Sequence, residues 1–205
     1  MQALVRPARL DDRAAPRLLY LSAQPYYDAF AGSPERARRT LERLWSRGGH
    51  TASHESCHVA ELAGTVAGVL VAFPAEDGDA LARRFLALSV VRLPAWHWPA
   101  VLRHLRAAAE IIPEPPARSL YVDALAVDEG ARRRGVATAL LREAERLARQ
   151  ADLRGVSLDT GLHNHGARAL YEASGFEVQG ERPAPSARVA QAIGGPGFIS
   201  FFKPV

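Results

Sequence analysis

Ser119-Leu120-Tyr121-Val122-Asp123-Ala124-Leu125-Ala126-Val127, then Asp128-Glu129-Gly130, then Ala131-Arg132-Arg133-Arg134-Gly135-Val136-Ala137-Thr138: this stretch decides the fold. Its first nine residues are apolar and aromatic enough to read as a buried strand. The next eleven carry acid, glycine and three consecutive arginines. After them Ala137, Leu140, Leu141, Ala144, Leu147 and Ala148 recur on one face of a helix. A strand, a short Arg/Gly loop and a helix start make an anion-binding device. The first N–H groups of a helix have no intrahelical partner and carry partial positive charge. Gly135 allows the backbone to approach a ligand closely. Arg132, Arg133 and Arg134 add full charges. Two other phosphate loops are excluded: there is no G-x-x-x-x-G-K-[ST], and no acidic ribose-binding position follows as in a dinucleotide fingerprint.

Outward from this segment, Gly155–Asp159 reads as another short strand. Asn164–Ser174 reads as a helix with Asn as its cap and Gly175 past its end. Phe176–Gln179 and Gly197–Phe202 read as the last strands, with Pro183–Pro196 as a loop between them. Upstream, Leu4–Ala8 reads as a strand. Asp11-Asp12 opens a helix that runs to Pro25, and Ser33-Pro34-Glu35 starts a second that runs to Gly48-Gly49. Cys57–Phe73 is a strand hairpin about Ala63-Gly64-Thr65. Residues 74–118 read as a helical insertion, with Pro99–Ile112 helical and Pro113, Pro115 and Pro116 as its stop.

The chain has 205 residues, 48% hydrophobic and 23% charged, which suits one domain over 1–205 and excludes wholesale disorder. No apolar run approaches a membrane span, so no membrane partner is expected. The first residues lack the apolar core of a secretion signal, and the expected address is the cytoplasm. Cys57 is the sole cysteine, so neither an internal disulfide nor a cysteine-cluster metal site can form. Basic residues number 26 against 22 acidic, a net charge of +4, and all but Lys203 of the basic ones are arginine. That favours an anionic ligand without identifying it. The arginines are scattered and lack an array of stacking aromatics, so no nucleic-acid partner is expected. His54-Glu55-Ser56-Cys57-His58 matches H-E-x-x-H, whose zinc chemistry needs a helix. Here the stretch runs into an alternating strand, where positions 54 and 58 lie roughly 13 Å apart, too far to share one zinc. No metal is expected, and nothing in the sequence argues for activating Cys57 as a nucleophile.

Asn164 and Tyr171 stand seven positions apart, on one helical face and roughly 10 Å from each other. With Ala167, Leu170, Gly175 and Phe176 they complete a pattern Asn-x-x-Ala-x-x-Leu-Tyr…Gly-Phe downstream of Arg132-x-x-Gly135-x-Ala137. The segment 120–176 resembles the core of the GNAT superfamily of acetyl-CoA-dependent N-acetyltransferases. Its loop is similar to that family's Q/R-x-x-G-x-G/A pyrophosphate motif. The resemblance implies an α/β fold: a mixed, mostly antiparallel central sheet flanked by helices, with 74–118 inserted before the central strand.

It also implies a chemistry in which an amine attacks the acetyl thioester of acetyl-CoA directly. Backbone N–H groups of Arg133, Arg134, Gly135, Val136, Ala137 and Thr138, with Arg132 beside them, would hold the diphosphate. Leu125, Ala126 and Val127 would pair with the pantetheine arm like an added strand. An N–H there would polarise the thioester carbonyl. Asn164 would bind the cofactor arm, and Tyr171 would protonate the leaving thiolate. Asp123, acting through water, is the candidate base. His163 and His165 flank Asn164, where capping or turn roles compete with proton relay. The acceptor, a small-molecule or peptide amine, would meet the connection Gln24–Phe30, where Tyr26, Tyr27 and Asp28 suit a cation. Residues 74–118, with Trp96, His97 and Trp98, are open to a role as lid, pocket wall or dimer contact. A homodimer is common among similar proteins. The rival reading is a catalytically silent acyl-CoA-binding module that senses or regulates.

Overall fold

The computed structural model describes residues 3–205. Seven strands form one sheet: β1 (Leu4–Pro7), β2 (Cys57–Leu62), β3 (Thr65–Pro74), β4 (Ser119–Val127), β5 (Gly155–Gly161), β6 (Glu177–Pro183) and β7 (Gly197–Pro204). Their order is β1-β2-β3-β4-β5-β7-β6. Neighbours are antiparallel except β4 and β5. A parallel pair needs a crossover, and α6 (Val136–Gln150) supplies it. The other helices are α1 (Ala15–Ser22), α2 (Gln24–Ala31), α3 (Pro34–Leu44), α4 (Gly78–Val90), α5 (Trp98–Ile111), α7 (His165–Ala173) and α8 (Ala187–Ile193).

Strand alternation divides the core into two layers. Val69 and Val71 of β3 pack with Leu18, Leu19 and Leu41 of α1 and α3. Leu70 between them packs on the opposite face with Leu140 and Leu141 of α6. These side chains are fully buried, and each contributes about 1.5–3 kcal/mol of transfer free energy. Gly68 sets how closely α6 approaches. A Cβ there would stand 2.7 Å from Val136 Cγ1 and 3.0 Å from Leu140 Cδ1, so any larger residue would lift the first turn of α6 off the sheet.

One irregularity positions everything that follows. Val71 opposes Ala124 and Ala72 opposes Val122, so Asp123 is an extra residue in β4 with no partner on β3. Such a bulge reverses the alternation. Tyr121 and Ala124 therefore reach the α1–α3 layer, while Leu120, Val122 and Leu125 reach the α6 layer. At the same level β4 and β5 separate: their ladder runs from Ser119↔Gly155 only to Val122↔Leu158, although both strands continue.

Four expectations need correction. Gln24–Phe30, expected as a connection, lies in helix α2. It has no side-chain cap to announce it, only Pro25 in its first turn and Gly32 (φ +79°) closing it with an N–H to the Asp28 carbonyl at 2.8 Å. The tract 183–196, expected as a loop, contains α8, started by Ser186 Oγ accepting from Val189 N–H and stopped by Gly194 in the left-handed region. Asp12 does not open a helix. Its carboxylate takes the Arg6 guanidinium at 2.7 and 2.8 Å and the Arg9 N–H at 2.6 Å, tying β1 to the turn before α1. The insertion holds two helices, α4 and α5, where the sequence suggested one.

Candidate active site

Asp123 stands at the bulge, where β4 leaves β5. The residue is exposed to an adjoining, partly open cavity, with protein packed densely on its other sides. Desolvation by that surrounding protein, and next the charge of Asp159, push the Asp123 carboxyl up to about 7. Asp159 is the residue after the last paired position of β5, as Asp123 is on β4. Burial pushes its carboxyl up to about 6, against the Tyr121 hydroxyl that donates to it at 2.5 Å.

The cavity holds about 270 Å³ and is lined by Asp123, Asp159, Tyr26, His163, Asn164 and Tyr171, among others. Tyr171 projects from α7 and is wedged between Phe176 and Phe201, with ring centroids at 6.0 and 5.5 Å. Burial, then the charge of Asp159, raise its phenol well above its usual range and keep it protonated. Asn164 caps α7. Its Oδ1 accepts from Ala167 N–H at 3.2 Å, and its Nδ2 donates to Thr160 at 3.1 Å. His163 reaches the cavity wall; His165 is outside it.

A second cavity of about 540 Å³ continues from the first past Leu125, Asn164, Ala167 and Leu170. Leu125, Ala126, Val127, Arg132, Arg133, Gly135, Val136, Ala137 and Thr138 line it. Beyond Val122 the edge of β4 that faces it pairs with no strand among the described residues. The turn before α6 places two left-handed residues one apart, Arg133 (φ +57°) and Gly135 (φ +78°). That alternation turns successive N–H groups inward, as in an anion-binding nest. The first helical N–H with a partner is that of Ala139, which bonds Gly135 carbonyl at 3.0 Å. A Cβ on Gly135 would meet nothing within 4 Å, so the space beside the turn is open to a ligand. Arg134, expected among the binding residues, is exposed and outside the lining. Consecutive residues of a tight turn cannot all face one side.

Helix α2 sorts the three residues expected at the acceptor. Tyr26 lines the first cavity and a third, of about 620 Å³; Tyr27 lines only the third. Asp28 lines neither. About 100° of rotation per residue turns it away, and its carboxylate accepts from Tyr20 hydroxyl at 3.0 and 3.3 Å. The H-E-x-x-H stretch is split. His54 starts a 3-10 turn and its Nδ1 lies 3.1 Å from the Trp45 carbonyl, whereas His58 is in β2 beside Glu143, 3.7 Å away. Burial pushes the Cys57 thiol up, which suppresses the nucleophilic thiolate.

The sequence model of the acetyltransferase (GNAT) family matches residues 16–176. This chain belongs to the GNAT acetyltransferase family. No curated protein matched it. Its fold is similar to those of solved acetyltransferases. An N-acetyltransferase from Staphylococcus aureus Mu50 is 18% identical, with 98% of this chain and 100% of that one covered and a TM-score of 0.72. A second acetyltransferase is 23% identical, with 98% and 99% covered and a TM-score of 0.65. An acetyltransferase from Bacillus subtilis, solved with CoA, is 13% identical, with 100% and 99% covered and a TM-score of 0.57.

Two residues of this GNAT site escaped the reading of the sequence, Asp159 and Tyr121. A signal existed. Asp123 and Asp159 each lie four residues after the strand starts Ser119 and Gly155, which pair with each other. Parallel pairing in that register puts the two carboxylates side by side, but the register is not written in either strand alone.

Proposed function

We propose that the protein transfers the acetyl group of acetyl-CoA to a primary amine by direct attack. The observation that carries this is the place of Asp123. It is the bulged residue where β4 and β5 part, in a small cavity continuous with the cleft beside the α6 turn. The cleft suits the CoA arm: a free strand edge at Leu125–Val127 pairs with the pantetheine amides, and the inward N–H groups from Arg133 to Thr138 hold the diphosphate. A strand-edge N–H in the same run polarises the thioester carbonyl.

Asp123 takes a proton from the incoming ammonium, directly or through water. A carboxyl near 7 is matched to that work at neutral pH. The freed amine nitrogen forms the bond to the carbonyl carbon, and the carbon–sulfur bond breaks with its electron pair going to sulfur. Tyr171 donates a hydrogen bond to that sulfur. Its raised pKa makes full transfer to a free thiolate unfavourable. It therefore stabilises charge as the bond breaks, and the amine's remaining surplus proton completes the thiol. A silent acyl-CoA-binding module has no use for a carboxylate with a raised pKa poised at this point.

The test follows free thiol while acetyl-CoA is mixed with an amine panel, with CoA binding measured separately by calorimetry. Amine-dependent release supports transfer. Tight acetyl-CoA binding with no release across the panel favours the silent module, and absence of binding overturns both. Tyr171→Phe lowers kcat about 10²–10³-fold with CoA affinity nearly unchanged; an unaltered kcat removes its role.

A further inference from the structure

Resting on the transfer reading above, we infer that the acceptor is a primary amine with an aryl-bearing apolar tail, seated in the third cavity. That cavity meets the reaction cavity at two residues, Tyr26 and Asp123. The junction is thus the place where an amine nitrogen and the proposed base would meet. An amine held there has one large cleft for its substituent, about 620 Å³ and open to solvent along α4, within the roughly 300–1,000 Å³ of sites that hold drug-sized ligands.

The walls decide the chemistry of that substituent. Phe30 of α2, Phe73 of β3, Phe85 and Leu86 of α4, Leu105 of α5 and Ile112 after it present apolar surface. The aromatic walls are already mutually packed: Phe30 and Phe85 centroids lie 6.2 Å apart, Phe73 and Tyr121 5.8 Å, Tyr26 and His104 4.4 Å. Edge-to-face and tilted rings of this kind leave ring faces and edges on which another ring docks. His104 adds no cation. Burial lowers its pKa, and its Nδ1 is held 2.7 Å from the Ala192 carbonyl. The acidic groups of the lining are Asp123 at the junction and Asp79, the latter beside Arg83 on α4. A second cationic group on the acceptor would therefore find no buried counter-charge in the tail cavity, and burying it unpaired is costly. That argues against a polyamine.

The geometry also gives the 74–118 segment its task. α4, α5 and the residues after α5 supply more than half of the lining, so the insertion is the wall of the acceptor cavity.

The experiment measures kcat/KM for ethylamine, benzylamine, phenethylamine, hexylamine and spermidine on the full chain at saturating acetyl-CoA. It repeats the series with Ala82→Trp, which fills the cavity from a solvent-exposed position of α4. The expected result is phenethylamine or benzylamine at least tenfold above ethylamine and spermidine. In Ala82→Trp the phenethylamine-to-ethylamine ratio falls at least tenfold, with the acetyl-CoA dissociation constant unchanged. Spermidine or ethylamine as the best acceptor overturns the inference and leaves the transfer reading standing, as does a ratio indifferent to Ala82→Trp. Hexylamine above both aryl amines overturns the aryl assignment. Acetyl-CoA binding with no amine accepted overturns the transfer reading itself, and the acceptor with it.

Discussion

The two sides of β4 are built by different means. On the side proposed for the cofactor the cleft is lined by two short stretches, Leu125–Val127 and the turn residues Arg133 and Gly135–Thr138, whose main-chain N–H and C=O groups would face the ligand. On the acceptor side they are side chains of α2, α4, α5 and two strands, drawn from Tyr26 to Asp123. A backbone cradle is specified by local turn chemistry and tolerates many side chains. A side-chain cavity exists only once distant elements have packed, and one substitution changes what fits. Mutations on the two sides should therefore separate cleanly into cofactor affinity and amine turnover.

The largest effect is expected at the seam. Asp123→Asn keeps the shape and removes the base, so kcat/KM for the amine falls about 10²–10⁴-fold while CoA affinity is nearly unchanged. In the parent, activity rises with pH through about 7 as Asp123 ionises; in the variant that limb disappears. Stability moves the other way. The folded carboxyl titrates above its unfolded value of about 3.9, so the fold binds more protons than the unfolded chain between these limits. Its contribution is full below the lower limit and lost as pH rises through about 7. Between pH 5 and pH 8 the Tm of Asp123→Asn should accordingly fall less than that of the parent. A parallel loss of CoA affinity in Asp123→Asn would break the division between the two sides.

Next comes the cradle itself. Gly135 has φ +78°, and a β-branched residue in the left-handed region costs about 1–2 kcal/mol, about 5–30-fold in an equilibrium. Gly135→Val should weaken CoA binding by that much with amine KM unchanged. Charge is the lesser partner. Arg132→Glu with Arg133→Glu should weaken CoA by about two- to tenfold, and less at high salt, because both side chains are exposed. Arg134→Glu, outside the lining, should do less still. If the arginine pair outweighs Gly135, side chains rather than main chain hold the diphosphate.

The same contrast explains what the sequence disclosed. Strand, turn and helix from 119 to 150 are local, and so are the Asn164 cap and the position of Tyr171; all were legible. Asp28 stands apart from Tyr26 because a helix not expected from the sequence turns it toward Tyr20. Asp159 was missed because its meaning comes from the register with β4. The acceptor cavity was invisible for the same reason: Phe30, Phe73 and Phe85 are ordinary core residues until α4 and α5 fold over β3.

Asn164 is where the two modes of construction meet, and it carries the smallest predicted effect. Its side chain lines both the cofactor cleft and the reaction cavity, but both of its polar atoms are already bonded within the protein. The oxygen caps α7, the helix that carries Tyr171. Asn164→Ala should lose about 1 kcal/mol of helix capping, seen as a Tm lower by about 2–4 °C in a chain of this length. Asn164→Ser restores the cap but not the amide donor. If Ser recovers the Tm and full CoA affinity, Asn164 acts on the cofactor only by holding α7 in place. If the Tm returns and affinity does not, the amide itself binds the CoA arm, and the cofactor side uses a side chain after all.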